Sequence, residues 1–213
     1  MRCSQCQGIE DLFDQQYVAK ELAHYRQKGA DKTTRMLVEA LQELGVAGLT
    51  LLDIGGGVGA VQHALFSAGV QNSTSVDASG AYLNAAREEA GRRGYAERVT
   101  YQHGNFVDLA EEVTPADIVT LDRVICCYPD MEQLVGLSAA HSRKLYGLVF
   151  PRDDWWVKIV LALQNFYFGL KRSPFRTFSH STQAVEDLLS RAGLRRRAFR
   201  RTLAWQVVVY VRQ

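Results

Sequence analysis

A run of nine residues, Leu51-Leu52-Asp53-Ile54-Gly55-Gly56-Gly57-Val58-Gly59, restricts what this chain can fold into more than any other stretch. An apolar strand carries a carboxylate near its end and empties into a loop of glycines. Glycine adopts positive φ without strain and has no Cβ to hold a ligand away from the main chain. Beyond the loop, Val61, Leu65 and Phe66 recur at helical spacing up to Gly69, so the unit reads strand, glycine loop, helix. That is the entry to a nucleotide-binding βαβ unit.

The glycines alone leave the nucleotide open, because Gly55, Gly57 and Ala60 also satisfy the dinucleotide pattern G-x-G-x-x-G/A. Asp53 tilts the choice. A carboxylate at a strand tip repels a pyrophosphate, whereas it suits a ligand bearing an ammonium and a sulfonium, as S-adenosylmethionine does. The second strand, Ser73 to Val76, ends in Asp77, 18 residues beyond Gly59, where a carboxylate can accept hydrogen bonds from both ribose hydroxyls. An adenosine moiety is implied whatever is attached to it.

These residues resemble the class I S-adenosylmethionine-dependent methyltransferases. Their first motif, an acid followed by G-x-G-x-G, is similar to Asp53, Gly55, Gly56, Gly57 and Gly59, and their second-strand acid is similar to Asp77, followed by Ala78. The resemblance implies that Asp77 holds the ribose. After a third strand the family often has Gly-Asp, the acid contacting the adenine amino group. Here Gly104-Asn105-Phe106 stands in its place, and the Asn105 amide oxygen could still accept that bond. A fourth strand, Ala116 to Asp122, fits the pattern whose last residues, Asp122 and then Arg123, face the methionine end. The resemblance covers roughly residues 48 to 152 and implies S-adenosyl-L-methionine as cofactor.

Length and composition agree. With 213 residues, 47% of them hydrophobic, the chain can bury one ordinary core, and a single methyltransferase domain is expected over 1–213. It divides into a helical cap (1–47), a cofactor-binding core (48–152), a helical insertion (153–177) and a C-terminal helix with a strand pair (178–213). The apolar stretch Trp155 to Leu170 is too short to span a bilayer, and the polar N-terminus lacks a signal-peptide core, so a cytoplasmic location is the default. Cys3 and Cys6 form a C-x-x-C, and Cys126-Cys127 are adjacent. Adjacent cysteines on a strand point to opposite sides, so reduced thiols are favoured over a zinc site, and no metal is expected.

The expected elements alternate. Helices are predicted over 9–28 and, capped by Asp31, through Leu37, Leu41 and Leu44. Then come strand 49–54, helix 58–69, strand 73–77, helix 80–93, strands 98–103 and 116–122, helix 130–143 and strand 145–150. A helix at about 153–170, a helix over 182–192 and strands at 195–202 and 205–211 complete the chain. The fold class is α/β: a Rossmann-like, doubly wound, mostly parallel sheet of seven strands, with an antiparallel C-terminal pair and an N-terminal helical cap. Ligands in such sheets sit beyond the carboxyl ends of the strands.

Methyl transfer is an in-line displacement, so the protein chiefly orients two reactants, and a general base is needed only for an acceptor that arrives protonated. No catalytic residue is assigned. Acceptor contacts are expected from Tyr25, Tyr128, Arg152, Trp155, Arg176 and His180, with Arg152 and Arg176 binding an anion on the acceptor. The insertion is apolar over most of its circumference and could be a lid, a membrane-surface contact or a homodimer contact. Lys171-Arg172-Ser173-Pro174 after it is similar to the C-terminal part of magnesium-protoporphyrin O-methyltransferases, which methylate a propionate. The expected reaction is methylation of a small, apolar or aromatic acceptor, carboxylate-bearing molecules included. Two alternatives stay open: an RNA methyltransferase using the basic segment Arg195 to Arg201, and a non-catalytic binder of the cofactor. Net charge of only +2 argues for no particular partner, and the lack of an Asn/Asp-Pro-Pro-Tyr/Phe motif after the fourth strand weighs against nucleic-acid amino methylation.

Overall fold

In the computed structural model, which describes residues 4–213, a sheet runs in the order β3-β2-β1-β4-β5-β7-β6. Its strands are β1 (Leu51–Ile54), β2 (Ser73–Asp77), β3 (Val99–His103), β4 (Ala116–Asp122), β5 (Ser142–Pro151), β6 (Leu194–Arg201) and β7 (Trp205–Arg212). The first five pair in parallel, while β7 runs antiparallel to both β5 and β6. The expected seven-stranded sheet with its antiparallel pair is therefore present. Chain order reverses between β1 and β4, and the crevice of such a fold opens there.

Side-chain parity builds two cores. Leu52, Val119, Leu121, Tyr146, Leu148, Val208 and Tyr210 face one side, against α7 (Met131–Ala140) and α9 (Thr182–Arg191). Leu51, Ile118, Leu145, Val149, Val207 and Val209 face the other, against α3 (Lys32–Gln42) and α4 (Ala60–Ser67). Strands buried on both faces read as continuous apolar runs, as 145–150 and 207–211 do.

The N-terminal cap departs from expectation. Two helices, α1 (Ser4–Leu12) and α2 (Gln15–Lys28), replace the single one predicted over 9–28. The break is at Asp14, whose carboxylate accepts from Tyr17 N at 2.8 Å as an N-cap. Asp31 precedes α3 but makes no side-chain cap; its carboxylate accepts from Arg123 Nη1 at 2.8 Å instead. Helix α2 lies on α5 (Gly80–Arg92) through Val18, Leu22 and Tyr25 against Tyr82 and Ala85. Beside this contact the buried Glu89 carboxylate takes Arg26, Arg92 and Arg93 at 2.6–2.8 Å, and these donors hold its pKa well below the carboxylate range. Two further differences are a short helix, α6 (Phe106–Leu109), and the extension of β5 back to Ser142. The insertion forms α8 (Trp155–Leu170), and no described helix is long and apolar enough to cross a membrane.

Candidate functional site

A cavity of about 510 Å³ opens beyond the carboxyl ends of β1, β2 and β4. Its floor is the glycine loop. Gly55, Gly57 and Gly59 have φ of 65°, 56° and 81°, the left-handed region that any other L-residue enters at a cost. The space above them differs. A Cβ on Gly55 would stand 2.5 Å from Val124 Cγ2, and one on Gly56 would stand 2.6 Å from Asp53 Oδ2, whereas one on Gly57 would meet nothing nearer than the Tyr82 ring at 3.7 Å. The loop is thus packed from below and bare toward the cavity.

Asp53 is the carboxylate below it. It is wholly buried and absent from the cavity wall, so the expected direct contact with the cofactor is not what the fold provides. Thr120 Oγ1 donates to its Oδ1 at 2.7 Å, and Oδ2 has no hydrogen-bond partner. Burial pushes its pKa up to about 7, against the lowering effect of the Thr120 bond, and the Asp122 and Asp77 carboxylates push the same way. Asp53 faces the cavity only across the backbone of Gly56.

Asp77 does reach the cavity, with Ala78 beside it. Ser79 N and Gly57 N donate to its carboxylate at 2.8 and 3.2 Å, but burial dominates and raises its pKa to about 6. Ser79 then caps α5 through its hydroxyl. A buried carboxylate held by two backbone N–H groups, beside a glycine floor, fits a ligand that brings hydroxyl donors. Asn105 and Phe106 also line the cavity. The Asn105 amide oxygen caps α6 at Val107 N, 3.3 Å, and its Nδ2 donates to Tyr128 Oη at 3.2 Å. That oxygen is therefore already engaged. At the other end, Asp122 accepts from Thr34 Oγ1 at 2.5 Å, and Arg123, at φ 63°, bridges Asp122 and Asp31. Glu21, from α2, lines the same end and accepts from Tyr82 Oη at 2.5 Å.

Of the expected acceptor contacts, only Tyr128 is on the cavity wall. Arg152 donates to the carbonyls of Thr202 and Leu203 and pairs with Asp154, tying the β6–β7 turn to the start of α8. Arg176 Nη1 donates to the carbonyls of Ser173 and Phe175, an intraloop tie. Arg152 is held by carbonyls and the Asp154 carboxylate, Arg176 by carbonyls of its own loop, and neither is on the cavity wall, so the expectation that they bind an acceptor anion is corrected. Trp155 is 74% exposed on the outer side of α8. Tyr25 lies outside this cavity, between the His63 ring and the Arg93 guanidinium. His180 Nε2 is within 2.8 Å of Ile125 O and 3.0 Å of Tyr128 O, so it carries the proton and donates. Burial lowers the His180 pKa, and the imidazole fastens the 125–128 turn rather than serving the cavity.

The apolar wall comes from the cap and the insertion, the segments to which the sequence points for the other half of the site, but through residues it does not single out as acceptor contacts. Ile9, Leu12 and Phe13, from α1 and its exit, face Leu161 and Phe168 of α8, and Phe175 and Trp205 complete an apolar half. Helix α1 is bolted on by Gln5, whose Nε2 donates to Cys127 O and Arg176 O, both at 2.8 Å, while Arg176 N donates to its Oε1 at 3.1 Å. Gly8 permits the fit, since a Cβ there would fall 2.5 Å from Phe175 N. Cys6, Cys126 and Cys127 also line the cavity. The adjacent pair is not on a strand but in a 3-10 turn, and its thiols lie 3.9 Å apart on the same side, near Arg123 O. Among the described residues no group of three or more metal-ligating side chains is assembled, and Cys3 lies outside them. The arginines of β6 are elsewhere: Arg196 pairs with Glu186, and Arg200 with Glu39 and Glu43, on the sheet edge.

Comparison with known proteins bears on this arrangement. Residues 52–138 match a family described as a methyltransferase domain. Over 136 residues the chain is 31% identical to ribosomal protein L11 methyltransferase of Photorhabdus laumondii, covering 61% of this chain and 46% of that protein. The chain thus spans about half the length of the curated relatives it matches. Among solved structures, magnesium protoporphyrin IX methyltransferase of Synechocystis PCC 6803, solved with bound S-adenosylhomocysteine, superposes with a TM-score of 0.73 at 17% identity, over 96% of this chain and 98% of that one. An O-methyltransferase family protein of Burkholderia thailandensis gives 0.66 at 19% identity, over 94% and 63%. The chain thus carries a stretch, residues 52–138, similar to a methyltransferase domain, in a fold shared with methyltransferases solved with bound S-adenosylmethionine or S-adenosylhomocysteine.

Proposed function

We propose that residues 1–213 act as one methyltransferase unit that methylates a small apolar or aromatic molecule. The carrying observation is that the cavity has two chemically distinct halves. One half is glycine backbone with Asp77, Asp122, Arg123 and Glu21, and the other is built from Ile9, Leu12, Phe13, Leu161, Phe168 and Phe175. In this reading Asp77 accepts from the ribose hydroxyls, the 55–57 backbone runs beside the methionine chain, and Asn105 and Phe106 flank the adenine. Asp122 and Glu21 face the methionine ammonium. When bound, S-adenosylmethionine supplies a methyl group made electrophilic by its sulfonium. The apolar half holds the acceptor in line with it and excludes water.

Among the described residues the apolar half presents Gln164, Thr177 and thiols but no carboxylate or imidazole base. An acceptor that needs little help with its proton, such as a carboxylate, fits this wall, with Tyr128 Oη as an orienting hydroxyl. Arg152 and Arg176 hold no acceptor in this reading. The cavity is formed by side chains packed across it rather than by an open basic groove, which supports a small molecule over RNA. The relatives named for ribosomal protein L11 share only part of their length with this chain, so a protein acceptor is the second reading.

Calorimetry with S-adenosylhomocysteine tests the first half. Asp77→Ala is expected to weaken binding by about 1.5–3 kcal/mol, the value of hydrogen bonds to a charged acceptor, and unchanged affinity removes Asp77 from the site. Radiolabelled methyl transfer to a panel of aromatic carboxylates, phenols, ribosomal protein and RNA tests the second. Transfer to the macromolecules alone overturns the small-molecule reading.

A further inference from the structure

Helix α8 turns a large apolar surface to solvent. Trp155, Ile159, Val160, Leu163, Phe166, Tyr167 and Leu170 are each between 51% and 74% exposed. At 100° per residue these seven fall on one arc of roughly 140°, and no charged side chain interrupts it. The opposite face holds the helix to the protein: Val157 and Phe168 are buried, and Leu161 and Phe168 line the cavity. The helix is therefore apolar on both sides, one serving the fold and the other facing no part of the described chain. Leu203, 79% exposed at the β6–β7 turn, extends the patch at its N-terminal end, where Arg152 ties that turn to Asp154. A contiguous exposed apolar patch of this kind marks an interaction surface.

The charges around it select the occupant. From Trp155 to Ser181 the chain has no acidic residue, while Lys158, Lys171, Arg172 and Arg176 are cationic. Lys158, Lys171 and Arg172 are exposed, and Lys171 Nζ stands 5.7 Å over the Tyr167 ring, at the margin of the arc. A two-fold contact between two such arcs would leave these cations facing a surface with no acid to meet them. Anionic lipid supplies both an apolar layer for the arc and phosphates for its rim, and Trp and Tyr suit the boundary between the two. We propose that the outer arc of α8 seats on an anionic membrane surface, lying in the interface rather than crossing it. Because the inner face of the same helix walls the cavity, docking sets the apolar half of the cavity next to the lipid. The proposal is independent of which residues hold the cofactor or the acceptor.

Co-sedimentation of the full chain with vesicles tests it. Vesicles of phosphatidylcholine containing phosphatidylglycerol at about one part in three are expected to take up the protein, and phosphatidylcholine alone to take up much less. Raised salt should weaken the binding. Leu163→Glu/Phe166→Glu places two carboxylates on the arc without touching the cavity, and Lys171→Glu/Arg172→Glu reverses the rim. Each pair should lower partition at least about tenfold while S-adenosylhomocysteine affinity is retained, which separates lost docking from lost folding. Failure of the wild-type chain to bind anionic vesicles overturns the proposal. So does equal binding to neutral vesicles, or either variant pair partitioning like wild type. A wild-type dimer that Leu163→Glu/Phe166→Glu dissociates, with no vesicle binding, would assign the arc to a second copy instead.

Discussion

Asp53 carries a cost that can be measured. Its carboxylate is fully buried under Gly56, has one donor, Thr120, and leaves Oδ2 without a partner. Its pKa rises from 3.8 to about 7 in the folded protein. The native state therefore holds a proton that the unfolded chain releases between those values. A group raised in this way contributes its full stability below pH 3.8 and loses it as the pH rises through about 7. At 1.36 kcal/mol per pKa unit the loss by pH 8.5 is about 4 kcal/mol. Asp53→Asn keeps the shape and the Thr120 bond but cannot ionise. It buries an amide in place of the unpartnered oxygen, which costs about 1–3 kcal/mol.

The variant is accordingly expected to be more stable than wild type by about 1–3 kcal/mol at pH 8.5 and equal or less stable at pH 5. Urea unfolding of both proteins without cofactor, at intervals from pH 5 to pH 8.5, measures this. The Asp77 carboxyl, raised to about 6, tilts both curves in the same direction and drops out of their difference except for its repulsion of the Asp53 charge. A stability difference that does not change with pH, or an Asn variant weaker than wild type at pH 8.5, refutes the buried-charge reasoning. In exchange for this cost the ionised carboxylate sits one glycine backbone away from the cavity, so the same variant should bind S-adenosylmethionine more weakly relative to its neutral-sulfur product.

Three further outcomes follow from the contacts. Gly56→Ala drives a methyl to 2.6 Å from Asp53 Oδ2, and should cost about 1–3 kcal/mol in urea unfolding, with part of the loss recovered in Gly56→Ala/Asp53→Ala. Glu89→Gln leaves Arg26, Arg92 and Arg93 around a neutral group; with those arginines partly exposed, a loss of about 2 kcal/mol is expected, present above pH 4.5, where the carboxylate is ionised in either state, and fading as the pH falls below it. His180→Ala removes the donor from Ile125 O and Tyr128 O, so amide hydrogen exchange should accelerate across 125–128, with His180→Gln slower than His180→Ala.

The legible parts of the site are those made within a few residues. The glycine loop, the strand-end acid Asp77 and the polar turn after β3 are local patterns, and all of them come to the cavity because strand ends in a parallel sheet share one edge. The alternation of apolar residues likewise sorts Leu51 and Leu52 into opposite cores before any tertiary contact is known. Arg152, Arg176 and His180 could not be placed in this way. Their side chains were read as free to reach a ligand, whereas carbonyls at Thr202, Ser173 and Ile125 take them. A cation in a sequence carries no mark of whether a backbone acceptor will claim it.

The sequence by itself pointed to a doubly wound sheet of seven strands, a cofactor class and the edge on which the ligand lies, since φ preference, side-chain period and handed crossovers are properties of short segments. Only the tertiary structure decided the acceptor half. Gln5 reaches residues 122 and 171 positions away, and Gly8 lets α1 settle on Phe175, contacts that no local pattern encodes. The same holds for α8, whose apolar circumference does not say which face packs inward until tertiary contacts divide it. One face closes the cavity and the other remains outside, because a single cavity wall covers only part of a helix.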